Sequence, residues 1–530
     1  MKNLILIIRV MAATVLLVGW AGTSVAQETL VIGQVGDAIT LDPHANNGIV
    51  EASMASNIFD PMIILDKDMA VQPGIAVSWE AKDPVTWNFG IRKGVKFHDG
   101  TPLTAEDVKF SIDRILNWKS FGAMGGIKAY ITPISSVRVI DQHTVEVKTV
   151  KPWGPILSTL RVVFITSKAH VEKVTKEKGV EAVSLNPMGS GAYKLIEWVP
   201  GDHLTMEANQ NWWGGKPAVK TITFRQISNY ATRVAALLSG EIHIATGLPV
   251  RDVKRVESNS ATKVTVLDGM RTVNYKFDTT RDVTPGVPDI PNPFKKRKVR
   301  MAMNHAINSE AIIKVVMNGF ARPATQLAGD KHLGWNPTIE RLPYDPEKAR
   351  QLLKEAGYPN GFKLRIDSTN NRYINDEAIC LTVAQMINKV GVKATCRARP
   401  KQVVFKEIYD PKILCCSMFV FSFVTPTGDI AGNMESNFHT PTELYGGYNG
   451  GKPEQANYSN AAADLLIEAA SAETDYNVRK TILQAASTVI MHDYPIVPLH
   501  YQNDIYGMST KVNWTPRPDM FLTMFDAKWH

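Results

Sequence analysis

The chain has 530 residues, too many for one hydrophobic core and enough for several lobes. Its 44% hydrophobic and 21% charged residues are those of an ordinary globular protein and exclude a low-complexity or fibrous class. A formal charge of +8 spread over this length does not argue for a nucleic-acid partner. The densest basic run, Lys295–Lys298 with Arg300, leads into the amphipathic stretch Val299–Ile307 and is a solvated helix start.

In chain order, Lys2 and Arg9 flank an apolar stretch that continues through Val10 to Trp20, and Ser24-Val25-Ala26 puts small residues at −3 and −1. This predicts a Sec signal peptide over residues 1–26, cleaved before Gln27. The leader holds no cysteine, so no lipid anchor is expected and the protein is placed free in the periplasm. No later window is apolar enough to span a bilayer. Thr29–Gly33 is a short buried strand, followed by Leu41-Asp42-Pro43-His44, the polar loop Asn46-Asn47-Gly48 and a helix from Val50 to Phe59.

Trp87, Phe89 and Ile91 alternate with polar residues as in a half-buried strand, and Asp99-Gly100 with Pro102 makes the next turn. Thr104 with Asp107 three residues on starts a helix whose face carries Val108, Ile112, Ile115 and Leu116. Strands follow around Val137–Ile140 and Thr144–Lys148, then a strand and helix between Val162 and Val183. Ala231–Gly240 is a helix stopped by glycine. Asp282–Pro293, rich in Pro, Gly and Asp, is the expected linker.

The second half repeats helix–strand units. Asp345-Pro346-Glu347 opens a helix that Gly357 ends, and Phe362, Leu364 and Ile366 alternate as a strand. A helix from about Asn375 to Lys389, a strand at 391–395, paired helices Asp464–Ala472 and Tyr476–His492, and a return strand Ile496–Tyr501 complete the series. An exported chain permits a Cys380–Cys396 bridge, while Cys415-Cys416 lies in an apolar run as buried packing.

Enzyme chemistry is not evident. The nucleophile elbow, Walker A loop and His-Glu-x-x-His helix are absent, and Ser260–Lys263 matches Ser-x-x-Lys ahead of a strand instead of on a helix. The alternative function kept in view is a periplasmic hydrolase acting on a peptide-like or glycoside substrate.

Several stretches carry a common resemblance: Gly90–Ser111, Leu41–His44, Gln72–Glu80, Asn186–Leu195, Asn211–Gly214 and Gly240-Glu241-Ile242. In this order, and over about Leu30 to Tyr506, they resemble the extracytoplasmic solute-binding proteins of family 5, the peptide/nickel-type binding subunits of ABC importers. Ser190, Ala192, Trp212 and His243 depart from the family pattern.

The resemblance implies an α/β fold, a two-lobed periplasmic binding protein with mixed sheets, hinged like a clam, and an extra α/β domain inserted in the first lobe. Lobe I would comprise 27–62, 185–270 and 499–530, the inserted domain 63–184, and lobe II 271–498. Such a protein captures a small solute (peptide-like, an opine or a sugar conjugate) between its lobes. It works as a monomer and hands the solute to inner-membrane ABC permease subunits in a transient contact, with neither enzyme activity nor a cofactor or resident metal.

Peptide-binding relatives hold the peptide's α-amino group with an aspartate in a motif like "W-x-x-D-Y-x-D-P". Here the corresponding stretch is Phe419–Asp429, with no acid near Val424 or Thr425 and Asp429 several residues late. This suits a ligand without the usual free amine. Expected contacts are Asn46, Asn47 and Gly48 at the cleft mouth, and Arg271 and Tyr275 where the chain crosses between lobes. Phe421, Phe423, Thr425 and Asp429 would form the opposite wall, and Arg397 and Arg399 would hold a carboxylate or phosphate.

Overall fold

The structure is a computed structural model and describes residues 29–46, 48–117, 127–409, 415–425, 427–442, 445 and 457–530. The predicted leader and Asn47 therefore lie outside the described residues.

Three main sheets organise the chain. The first has seven strands in the order Thr262–Leu267, Asp504–Ser509, Ile244–Ala245, Thr29–Gln34, Thr221–Gln226, His203–Ala208 and Tyr193–Val199. Thr29–Gln34 lies parallel to both of its neighbours, while the flanking strands pair antiparallel. Its core joins Leu30, Ile32, Phe224 and Met508.

The second sheet has six strands: Ala321–Pro323, Ile496–Gln502, Thr272–Phe277, Met418–Phe423, Lys363–Thr369 and Lys393–Arg399. Its mixed pairing requires helices on both faces. Val273, Tyr275 and Phe277 point into a core shared with helices 297–306, 346–355 and 376–388. Phe421 on the other face packs into a core built with helices 431–437, 461–472 and 476–492. The paired helices, the return strand and the Asp345 cap are as the sequence predicts; the Asp345 carboxylate accepts the Lys348 N–H at 2.9 Å. Cys380 and Cys396 join a helix to the adjacent strand, with Cα atoms 5.7 Å apart. Cys415 and Cys416 are buried against Phe419.

The third sheet is an antiparallel four-stranded unit, Ala76–Asp83, Thr86–Ile91, Thr144–Thr149 and Ile134–Asp141. Helix Ala105–Leu116 lies over it, and the Asp107 carboxylate accepts the Thr104 N–H at 2.9 Å. The unit is pinned to the first sheet's lobe by buried charges. Arg114 grips Asp42, Arg161 grips Asp519, and His44 Nε2 bonds to Phe164 O at 2.8 Å. His98 of the signature stretch likewise bonds through its ring to Gly191 O at 3.1 Å, so it is scaffold.

Three expectations change. Instead of a strand at 162, Leu160–Val162 is a short helical turn with a single bridge at Phe164, and the helix is Lys168–Lys178. Asp282–Pro293 is no linker. Asn292 donates to the carbonyls of Asp278 and Arg281, and the Gly286 N–H donates to Ser417, fixing the segment to the six-stranded sheet. The chain actually passes between the two large sheets at 268–271 and again at residue 503, so Leu499–Gln502 sits with the second sheet and not with lobe I.

Candidate ligand site at the lobe crossing

The two crossing segments lie side by side. The Gln502 N–H donates to Arg271 O at 2.8 Å. A Cβ on Gly269 would collide with Gln502 O and lie 3.0 Å from Asp504 Oδ2, so only glycine lets the strands approach this closely. The carboxyl ends of Lys363–Thr369, Lys393–Arg399 and Met418–Phe423 point the same way, and the loops after parallel strands are where α/β sheets place ligands. The loop after the first of them returns to the crossing, where the Ile374 N–H donates to Gln502 Oε1 at 3.4 Å.

Arg271 is the centre of this arrangement. It is 5% exposed, yet among the described residues its guanidinium meets Ser422 Oγ at 3.4 Å, Met520 Sδ at 3.9 Å and the face of Tyr373 at 5.9 Å. Among the described residues no carboxylate oxygen lies within 4.0 Å of it. Burial, then the field of Arg372, lowers its pKa to about 10, while Tyr373 and Asp504 oppose the shift. Asp504 is its counterpart. It is 7% exposed, its Oδ2 has no hydrogen-bond partner, and burial pushes its pKa up to about 7 against the pull of Arg271. A buried cation and a buried anion thus face the crossing close enough to feel each other, without forming an ion pair. Apolar side chains adjoin them: Met270 clusters with Leu65, Met69 and Val424.

Thr272 pairs with Phe423 in register, which sets Phe423 at the edge of the same region, its ring 6.0 Å from that of His332. Other expected contacts have different tasks. Tyr275 is fully buried in the six-stranded core with its hydroxyl 3.5 Å from Ser368 Oγ, so it is packing. Phe421 packs edge-on against Phe438 in the opposite core, and the Lys276 ammonium lies over both rings.

Arg397 donates to Asp367 at 2.5 Å and Arg399 grips Glu407 at 2.6 and 2.7 Å, so both guanidinium groups already have a carboxylate partner, although Arg399 Nε has none. The Thr425 hydroxyl is 2.7 Å from that of Thr427. Asp429 forms a two-pronged pair with Arg479 at 2.6 and 3.1 Å, both side chains buried, so it is not available to a ligand. Asn46 Oδ1 accepts the Gly48 N–H at 2.7 Å and lines a small cavity with Asp42, Phe164 and Phe521; Gly48 caps helix Ile49–Ile58.

Among the described residues one cluster has metal-ligand types, Asp367 with Cys415 and Cys416. Arg365 and Arg397 already pair with that carboxylate, a poor setting for a cation.

Sequence comparison agrees with this architecture. The model of the bacterial extracellular solute-binding proteins, family 5 Middle, matches residues 70–442. The chain belongs to that family. Within the family it is 28% identical over 520 residues to the glutathione-binding protein GsiB of Escherichia coli strain K12, covering 96% of each chain. The corresponding Shigella dysenteriae protein is 27% identical with the same coverage. Solved family folds superpose along nearly the whole chain. CtaP of Listeria monocytogenes gives a TM-score of 0.81 at 23% identity, over 95% of this chain and 99% of that one. DppA of Helicobacter pylori in complex with the peptide STSA gives 0.77 at 23% identity, over 95% and 98%. The family is one of two-lobed solute-binding proteins, and this chain is one of them.

Proposed function

We propose that this family 5 protein captures a small peptide-like, zwitterionic solute at the lobe crossing and delivers it to an ABC importer. The observation that carries this reading is the unpaired Arg271–Asp504 couple. A desolvated guanidinium that meets a hydroxyl and a thioether but no carboxylate, and a desolvated carboxylate with one oxygen unpartnered, fit a solute that brings one carboxylate and one ammonium group. Asp504 supplies the acid that Val424 and Thr425 do not, so the ligand keeps its free amine. The glutathione-binding and peptide-binding relatives support a solute of this class. The chain acts as an exported, unanchored periplasmic monomer without enzymatic turnover, meeting the permease only transiently. Lobe closure over the solute is the event the permease reads.

The test is thermal denaturation with reduced glutathione and with short peptides, followed by recovery of the solute. A ligand at a hundredfold excess over its Kd stabilises the fold by about 2.7 kcal/mol. It must come back chemically intact; hydrolysed solute would favour the periplasmic hydrolase instead.

A further inference from the structure

The four-stranded unit touches the second large lobe at a place remote in sequence from the Arg271 crossing. Its loop 151–155 reads Lys-Pro-Trp-Gly-Pro. Two prolines fix φ on either side, and Trp153 is buried in the unit's own core, so the loop is held rigid. The Gly154 N–H donates to Ser471 O at 2.9 Å. Ser158, in the helical turn Ile156–Thr159, has its hydroxyl 3.3 Å from Asp429 Oδ2 and 3.0 Å from Pro155 O, so its one proton is shared between the two acceptors. Lys151 Nζ donates to the Tyr445 hydroxyl at 2.8 Å.

The receiving face is equally fixed. Asp429 is held by Arg479 and by the Ala431 N–H at 2.9 Å, Arg479 Nε donates to Ala470 O at 2.8 Å, and the Ser471 hydroxyl donates to the half-buried Glu435. Shape decides who can sit there. A Cβ built on Gly154 would collide with Glu473 O and come within 2.6 Å of Arg479 Cδ and Nε.

We propose that loop 151–158 is a closure latch: its contact with the Asp429–Arg479 platform holds the two lobes together, and Gly154 is the residue whose missing side chain permits it. The latch rests on the two-lobed capture reading and adds a second determinant of closure, set apart from the solute's own contacts. Because capture is completed only when the lobes close over the solute, apparent affinity rises with the latch's contribution to the closed state. Two preformed surfaces joined by two hydrogen bonds and one shared polar contact lose little entropy on docking, which makes the contact effective although small.

The test uses the full mature chain without added ligand, so its result does not depend on which solute is bound. G154A and G154V are compared with wild type by small-angle scattering and by hydrogen exchange of peptides covering 151–158, 429–435 and 471–479. Expected are a larger radius of gyration and exchange about tenfold faster in those peptides alone, with circular dichroism unchanged. S158A, which removes the shared polar contact and no shape, should give a smaller effect, about twofold, in the same peptides. Wild-type peptides already exchanging as freely as an exposed loop, or G154V peptides and scattering identical to wild type, would overturn the latch. Loss of the circular-dichroism signal in the glycine variants leaves S158A to decide, and an S158A profile equal to wild type overturns it too. Failure of glutathione or peptides to bind would refute the solute reading and leave these measurements intact.

Discussion

Two buried pairs of opposite charge invite comparison. Asp429 and Arg479 meet face to face, with every guanidinium nitrogen and both carboxylate oxygens used. Arg271 and Asp504 are buried to the same degree, yet stay apart, and one oxygen of the acid has no partner. Desolvation disfavours all four groups alike. A complete pair offsets that cost within the protein and serves architecture; an incomplete one leaves a deficit that a solute can fill. By this criterion the conspicuous Asp429 is platform, and the inconspicuous Asp504 belongs to the proposed site.

The comparison can be broken most severely at Arg479. R479M leaves Asp429 buried with its pair removed and should cost about 3–5 kcal/mol in urea denaturation; a loss under about 1 kcal/mol would mean the pair is not structural. R271M should do the reverse. The ligand-free chain should keep its stability to within about 1 kcal/mol, while calorimetry should show glutathione or peptide affinity falling about a hundredfold, or about 2.7 kcal/mol. A destabilisation like that of R479M would expose a structural partner for Arg271.

The smallest effect concerns Asp504 and pH. Its pKa is raised in the fold to about 7, so the unfolded chain releases this proton more readily. The fold is therefore unpenalised below the unfolded value near 4 and loses stability as pH rises from there through about 7. D504N should be more stable than wild type at pH 8, by about 1–3 kcal/mol, and level with it near pH 4. Equal stabilities at both pH values would show the carboxylate to be solvated.

Much of the fold was legible because it is written in local patterns. The Tyr476–His492 helix, the Asp345-Pro346 start and the Trp87-Phe89-Ile91 strand follow from spacing and caps alone. The site was legible only in part. Arg271 was visible as a cation in a crossing segment, but nothing adjacent revealed that Arg397 and Arg399 would meet Asp367 and Glu407, or Asp429 meet Arg479 fifty positions on. Asp504 was overlooked because an acid following a return strand looks solvated; the cue was its place between two buried strands. Asp282–Pro293 misled in the opposite sense, since composition that signals a tether also suits a tightly bonded loop.

The position of Asp504–Ser509 has a consequence for how the molecule is made. This strand lies inside the seven-stranded sheet, between Thr262–Leu267 and Ile244–Ala245, although it is the last of the seven to be synthesised. Until it arrives, two earlier strands carry open edges, and the lobe begun at Thr29 stays unfinished while the whole of the second sheet is threaded out and back. Assembly is therefore dominated by long-range closure, a slow step in folding. A chain truncated before residue 504 should present bare sheet edges and aggregate.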